Sequence, residues 1–333
     1  MSNAVVPNNK SSRPWASLSL DLDNQWSYLK THGDPAWQQF PSYLDIAVPR
    51  ILDFLAARDL TISFFIVGQD AALERNRGPL RALADAGHEI GNHSFNHEPW
   101  LHLYSEDQLD AELAQAEYHI EAATGVRPVG FRGPGFSLSN TTLRVLAKRG
   151  YLYDATVFPN LLNPLARAYF FATSNLSKEE KEQRKALFGT WSDALKPLKP
   201  YRWELEGRQL LEIPVTTMPW FKVPIHLSYI LYLSKFARPL ARLYFRFALA
   251  MCAMTRTQPS ILLHPLDFLG REDVKELAFF PGMDLPRDDK LALVGESLDL
   301  MGERYELLTM KEHAQRLLRS GELRIMQPEP SAA

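Results

Sequence analysis

Residues 84–97 read ADAGHEIGNHSFNH. Gly87 follows the last periodic residue of a helical pattern, where glycine accepts the left-handed conformation that stops a helix. A short apolar strand, His88–His93, follows at once. Helix, tight stop and strand in immediate succession form the repeating unit of a mainly parallel sheet wrapped by helices. Working outward, the same alternation predicts strands at Ala16–Asp23, Thr61–Gly68, Gly130–Gly133, Leu152–Thr156, Leu210–Thr216, Ser260–His264 and Tyr305–Thr309. The tetrapeptides SEDQ (Ser105–Gln108) and TMKE (Thr309–Glu312) are capping boxes, each opening a helix. Eight strands separated by helices suit an α/β fold, a barrel or a distorted relative of one.

The chain has 333 residues, 46% of them hydrophobic, enough to bury a large core. A net charge of -2 argues against nucleic acid as a partner, and the single cysteine, Cys252, rules out a disulfide framework or a cysteine-based zinc site. Residues 1–14 read as a disordered lead-in without the apolar stretch of a secretory signal, so a cytoplasmic location is expected. One domain is expected over 15–325, with insertions at about 160–205 and 218–256 and a tail at 326–333. The first insertion contains a charged helix beginning at Ser177, SKEEKEQRKALFG.

Polar residues at the C-terminal ends of parallel strands face the active site in such folds. Those positions hold Asp21 and Asp23, His93, Arg132, Asp154 and His264. Asp21 and Asp23, two apart on a strand, leave it on the same face, and two close carboxylates repel unless a cation or proton sits between them. The plainer reading is a pair of turn aspartates. His93 and His97 can converge if the chain turns helical after the strand, and with one carboxylate they make a His-His-Asp set open to water and substrate. The alternative is a solvent-exposed pair at a helix start. Arg132 in FRGPGF precedes a tight Gly-Pro-Gly turn that positions its permanently charged guanidinium. His264 in SILLHPLDF ends an apolar strand stopped by Pro265, which suits a general acid at the mouth of a barrel.

Taken in order, D-x-D, H-S-x-x-H, R-G-P-G, a strand-end Asp and L-L-H-P resemble the polysaccharide deacetylase superfamily (NodB homology, carbohydrate esterase family 4) over residues 16–156 and 208–268. The resemblance implies a distorted (β/α) barrel with helical insertions. It implies that Asp23, His93 and His97 hold one divalent ion, Zn2+ first, with Co2+, Ni2+ or Mn2+ as alternatives. It assigns Asp21 as the base, Arg132 as its orienting partner, His264 as the acid for the leaving amine, and Asp154 to setting the charge of that histidine. Leu22 between the two aspartates resembles an Asp-x-Asp subgroup that includes enzymes acting on small or lipid-linked amides. A tryptophan common near the strand-five aspartate is missing from YDATVF. The implied function is metal-dependent removal of an acyl group, N-acetyl first, from an amino sugar or glycan, free or carried on a lipid or nucleotide. An allantoinase-like hydrolase of a small amide and an inactive glycan-binding homologue are the alternatives.

Residues 213–266 contain six cations and no carboxylate. Arg238, Arg242 and Arg246 recur every four residues, so 235–251 reads as a basic amphipathic helix able to lie on an anionic membrane, at the inner membrane face for a cytoplasmic protein. The competing reading packs this helix on the barrel, with its arginines paired to acidic helices.

Overall fold

The computed structural model describes residues 13–163, 165, 168, 171–172, 176–183, 194–321 and 323–328. Its strands are β1 (Trp15–Leu22), β2 (Ser63–Ile66), β3 (Glu89–Asn92), β4 (Gly130–Phe131), β5 (Tyr153–Asp154), β6 (Tyr201–Leu205), β7 (Arg208–Glu212), β8 (Ser260–Leu263), β9 (Glu306–Leu308) and β10 (Arg324–Met326). They form one sheet in the order β10-β6-β7-β5-β4-β3-β2-β1-β8, with β9 also on β1. Every pairing is parallel except the β6–β7 hairpin. The sheet curls until its far sides meet: Thr216, just past β7, donates its N–H to the Ser260 carbonyl of β8 at 3.0 Å, and Ser260 N–H returns a bond to the Thr216 hydroxyl at 2.8 Å. This seam makes the architecture a distorted (β/α) barrel.

β1, β2, β3 and β8 are covered on both faces and buried along nearly their whole length, which is why they read as apolar runs. The helices that cover them include α1 (Gln25–His32), α2 (Leu44–Ala56), α3 (Gly68–Ala72), α4 (Arg77–Asp85), α5 (Glu106–Thr124) and α6 (Asn140–Arg149). Both predicted capping boxes form, at Ser105 and at Thr309. Gly87 stands at φ 82° beyond α4, as the turn requires.

β6 lies within the segment 160–205 expected as an insertion, and β10 straddles the expected boundary between domain and tail. β6 alternates buried and half-buried residues and joins β7 through Glu206–Gly207, both at positive φ, the conformation of a two-residue hairpin turn. The tail boundary at 326 cuts β10, whose Met326 pairs with Trp203. The charged helix, α7, is described over Lys178–Gln183, and its expected continuation past 183 lies outside the described residues up to 193.

Residues 227–254 form α8 (Leu227–Met254), two helical segments joined at a kink where Ala237 is extended, two residues before Pro239, whose ring and missing N–H interrupt helical bonding. Its inner face buries Ile230, Leu231, Phe245, Leu249 and Cys252 in the main core. α8 also packs on α9 (Arg287–Arg304), and the chain closes with α10 (Met310–Ser320) against β1.

Candidate metal centre and catalytic cleft

The strand register brings the polar positions to one end of the barrel. Asp21 pairs with Phe65 of β2, and Asn92, next to His93, with Phe131, next to Arg132. Just past the strand ends lies a cleft of about 500 Å³ lined by Asp21, Asp23, His93, His97 and His264.

His93 and His97 converge by a route other than the expected helical turn. Ser94 and His97 both adopt left-handed backbone, at φ 61° and 53°. Such strain persists only where the surroundings enforce it. Here Asn92 Oδ1 accepts from Ser94 N–H at 2.8 Å, Ser94 Oγ from His97 N–H at 3.1 Å, and Glu112 Oε1 from the N–H groups of Phe95 and Asn96 at 2.9 and 2.7 Å. Both imidazoles are buried, so they are not a solvent-exposed pair. Asp23 Oδ1 lies 3.3 Å from His93 Nε2 and 3.0 Å from His97 Nε2.

Among the described residues this trio is the cluster whose donor atoms, all within 4.8 Å of one another, are arranged to hold a metal ion. His93 Nδ1 donates to the Arg132 carbonyl at 2.7 Å, which leaves Nε2 with its lone pair toward the centre. Burial alone would push the Asp23 carboxyl up, but the two imidazoles outweigh it and hold it far below the usual carboxylate range. Burial pulls His93 down, and Asp21 and Asp23 more than reverse that. Two imidazole nitrogens and one carboxylate, desolvated and mutually attracted, fit a divalent cation.

Asp21 faces the same cleft and is held by a cation of the protein. Arg132, fully buried, donates from Nη1 to Asp21 Oδ1 at 2.7 Å and to Ser19 Oγ at 2.8 Å, and from Nε to the Ala155 carbonyl at 2.9 Å. The Phe65 ring lies 4.4 Å under its guanidinium. A planar fork anchored at three points cannot swing, so it orients the carboxylate.

Asp154 does not take the place expected of it. It is fully buried between β4 and β7, opposite Glu212, and accepts from the Thr156 hydroxyl at 2.6 Å. Burial, reinforced by the Asp154 charge, pushes Glu212 well above the carboxylate range, so Glu212 keeps its proton and shares it with Asp154. Glu212 is fixed in turn by Trp203 Nε1 at 3.0 Å and Val157 N–H at 3.1 Å. Arg132 is the cation that acts on Asp154.

His264 draws instead on Ser228 and Asp267, neither of which the sequence reading had singled out. His264 Nδ1 lies 3.0 Å from Ser228 Oγ, in the first turn of α8. Asp267 hydrogen-bonds to Ser228 and accepts the His264 backbone N–H at 2.8 Å. A carboxylate accepting from the Ser228 hydroxyl lets that hydroxyl accept from Nδ1, which leaves Nε2 free for the cleft. Asp267 carried one signal, its place three residues after His264 where an N-cap box closes. Ser228 carried none. Two further groups on the cleft wall were also missed: Tyr28, whose buried hydroxyl has no hydrogen-bond partner among the described residues, and His226, held neutral with a pKa pushed down to about 3 by burial and the nearby His264.

A family profile described as polysaccharide deacetylase matches residues 34–153. A peptidoglycan deacetylase of Helicobacter pylori is 29% identical over 120 residues, covering 36% of this chain and 40% of that protein. A peptidoglycan deacetylase-like protein of Gibberella zeae is 32% identical over 114 residues, covering 34% and 33%. The chain thus spans well under half the length of these curated relatives. A crystal structure from Mycobacterium smegmatis, assigned as a polysaccharide deacetylase, superposes with a TM-score of 0.63 at 19% identity, covering 98% of this chain and 99% of that one, which supports the fold. The matched segment carries His93, His97 and Arg132, so this part of the chain is similar to polysaccharide deacetylases.

Proposed function

We propose that the chain is a metal-dependent hydrolase that removes an N-acyl group, acetyl first, from an amino sugar within a glycan. The observation carrying this reading is the placement of a carboxylate locked to a buried arginine, a His-His-Asp set and a free imidazole edge on one cleft. Asp23, His93 and His97 would hold the cation, which when bound supplies Lewis acidity toward the amide carbonyl and lowers the pKa of water. Asp21 takes the proton from the attacking water. Arg132 keeps that carboxylate aimed. His264 delivers a proton from Nε2 to the departing nitrogen, and the Ser228–Asp267 pair holds its ring and steadies the positive charge. Water adds to the acyl carbon, the C–N bond breaks, and an amine and a carboxylic acid leave. Tyr229, Phe158 and Phe136 on the cleft wall offer flat apolar faces to a sugar ring. N-acetylated glycans are the substrate class that the relatives' names indicate. The test is release of acetate from N-acetylglucosamine oligomers, with allantoin assayed in parallel. Turnover of the oligomers supports the reading, and turnover of allantoin alone overturns it.

A further inference from the structure

The helix that supplies Ser228 to the cleft carries an unusual outer face. Phe236, Leu240, Leu243, Phe247 and Met254 are between 52% and 73% exposed. Past the Ala237 kink, Leu240, Leu243, Phe247 and Met254 are spaced three, four and seven apart, which places them in one stripe about 21 Å long at 1.5 Å per residue, with Phe236 just before the kink. A helix packed on a globular core normally turns charge to solvent on that side. Beside α8, the segment Thr217–Pro224 closes on itself through an isolated bridge and is braced by the Tyr244 hydroxyl, which donates to the Pro224 carbonyl at 2.8 Å. Its tip exposes Trp220 and Phe221, with Trp220 in left-handed backbone at φ 67°. Five large apolar side chains of α8 and two of the adjoining tip are thus exposed, more than scattered exposure accounts for.

The charges divide in a way that indicates the occupant. Lys235 pairs with Asp284, and Arg238 and Arg242 converge on Glu296 of α9, so these cations are neutralised within the fold. Arg246, on the flank of the stripe, and Arg256, just past its end, form no ion pair among the described residues. No carboxylate occurs between residues 213 and 266 to offset them. An apolar stripe with free arginines at its margin and an exposed tryptophan alongside matches a lipid interface that carries anionic headgroups. A second copy of this face would instead bring arginine toward arginine.

We propose that the outer face of α8, together with the Trp220–Phe221 tip, docks the protein on an anionic bilayer. This does not depend on which amide the cleft hydrolyses, and vesicle binding reads it without any assay of activity. In co-sedimentation, the full chain should bind mixed phosphatidylglycerol–phosphatidylcholine vesicles more tightly than phosphatidylcholine alone. Arg246→Gln should weaken that binding about fivefold and reduce its salt sensitivity. The triple variant Leu240→Gln, Leu243→Gln, Phe247→Gln should lose about a hundredfold. These side chains are exposed, and an unchanged thermal melt confirms that each variant folds. Absence of wild-type binding to either vesicle, or equal binding by wild type and triple variant, overturns the proposal. So does a wild-type dimer in light scattering that the triple variant turns into a monomer, since the stripe would then be a self-association surface.

Discussion

The two walls of the cleft are built to different rules. On one, Asp21, His93 and Arg132 stand at the ends of β1, β3 and β4, at most 4% exposed and linked through Arg132. On the other, His264 is only half-buried and is steadied by a serine from a helix and a carboxylate from the following turn. The first wall fixes charge with a group that never titrates. The second leaves an imidazole with one edge free and a hydroxyl as its support. A carboxylate that must face the attacking water in one geometry benefits from a locked cation, whereas an imidazole that gives up its proton needs a partner that serves both of its states.

The largest effect should come from breaking the first wall at its centre. His93→Ala should remove both metal content, measured by mass spectrometry, and activity, by more than about a thousandfold, because several kcal/mol of charge stabilisation disappear. Activity retained without detectable metal would refute the metal reading. Asp21→Asn should keep the metal and lose about a hundredfold in kcat, the usual contribution of a positioned base. Loss of metal in that variant would make Asp21 a ligand and reverse the roles of the aspartates.

The second wall should respond more gently. Ser228→Ala should lower kcat about tenfold with little change in KM, at the low end for groups that orient a reacting side chain, and should displace one limb of the pH–rate profile. Asp154→Asn should leave that limb in place, since its partners are Thr156 and Glu212. A displaced limb in Asp154→Asn, with none in Ser228→Ala, would restore the assignment read from the sequence.

The smallest effect lies beneath the first wall. Asp70 accepts from Asn24 at 2.7 Å and Trp26 at 2.9 Å, and burial, with Asp23 adding to it, raises its pKa from 3.8 to about 7 despite those bonds. A folded-state pKa raised above the unfolded value gives stability that is present below pH 3.8 and lost as pH climbs to about 7. Asp70→Asn should flatten that part of the stability profile, so that the variant gains on the wild type as pH rises from about 4 to 8. An undiminished slope in denaturant titrations would exclude Asp70 as its source.

The two walls also differ in how far they could be read in advance. D-L-D, H-S-F-N-H and R-G-P-G are contiguous, and strand ends gather them, so every member of the first wall was visible. The left-handed path through Ser94 and His97 was not, because it depends on Glu112, from a helix further along the chain, capturing two backbone amides. Ser228 reaches His264 only because α8 folds across the barrel mouth, and a serine at a helix start has no distinguishing spacing. Asp154 was located correctly at a strand end, but a strand end does not say which neighbour it meets. Among the strands, β1, β2, β3 and β8 announce themselves as apolar runs. β6 carries arginine and glutamate on its outer positions and β10 is three residues long, so neither offered a period to detect. Arg238 and Arg242 pair with an acidic helix as the plainer reading of the basic segment required, while the exposed stripe beside them keeps the membrane reading in play.

The position of β1 in the sheet has a consequence for synthesis. On one edge of this strand β2 covers Ser19–Leu22 soon after translation, but the stretch before it waits for β9, with Ala16 pairing to Leu307, and the whole opposite edge waits for β8, with Ser17 pairing to Ser260. At roughly 5–20 residues per second, a nascent chain carries that open edge for on the order of 10–50 s. During that interval an apolar strand with unpaired amides is a template for other chains, and chaperone capture competes with aggregation at this edge. Asp21 rides on β1 and Asp23 follows it directly, so the setting of both aspartates is complete only once strands made more than 200 residues later have paired with β1.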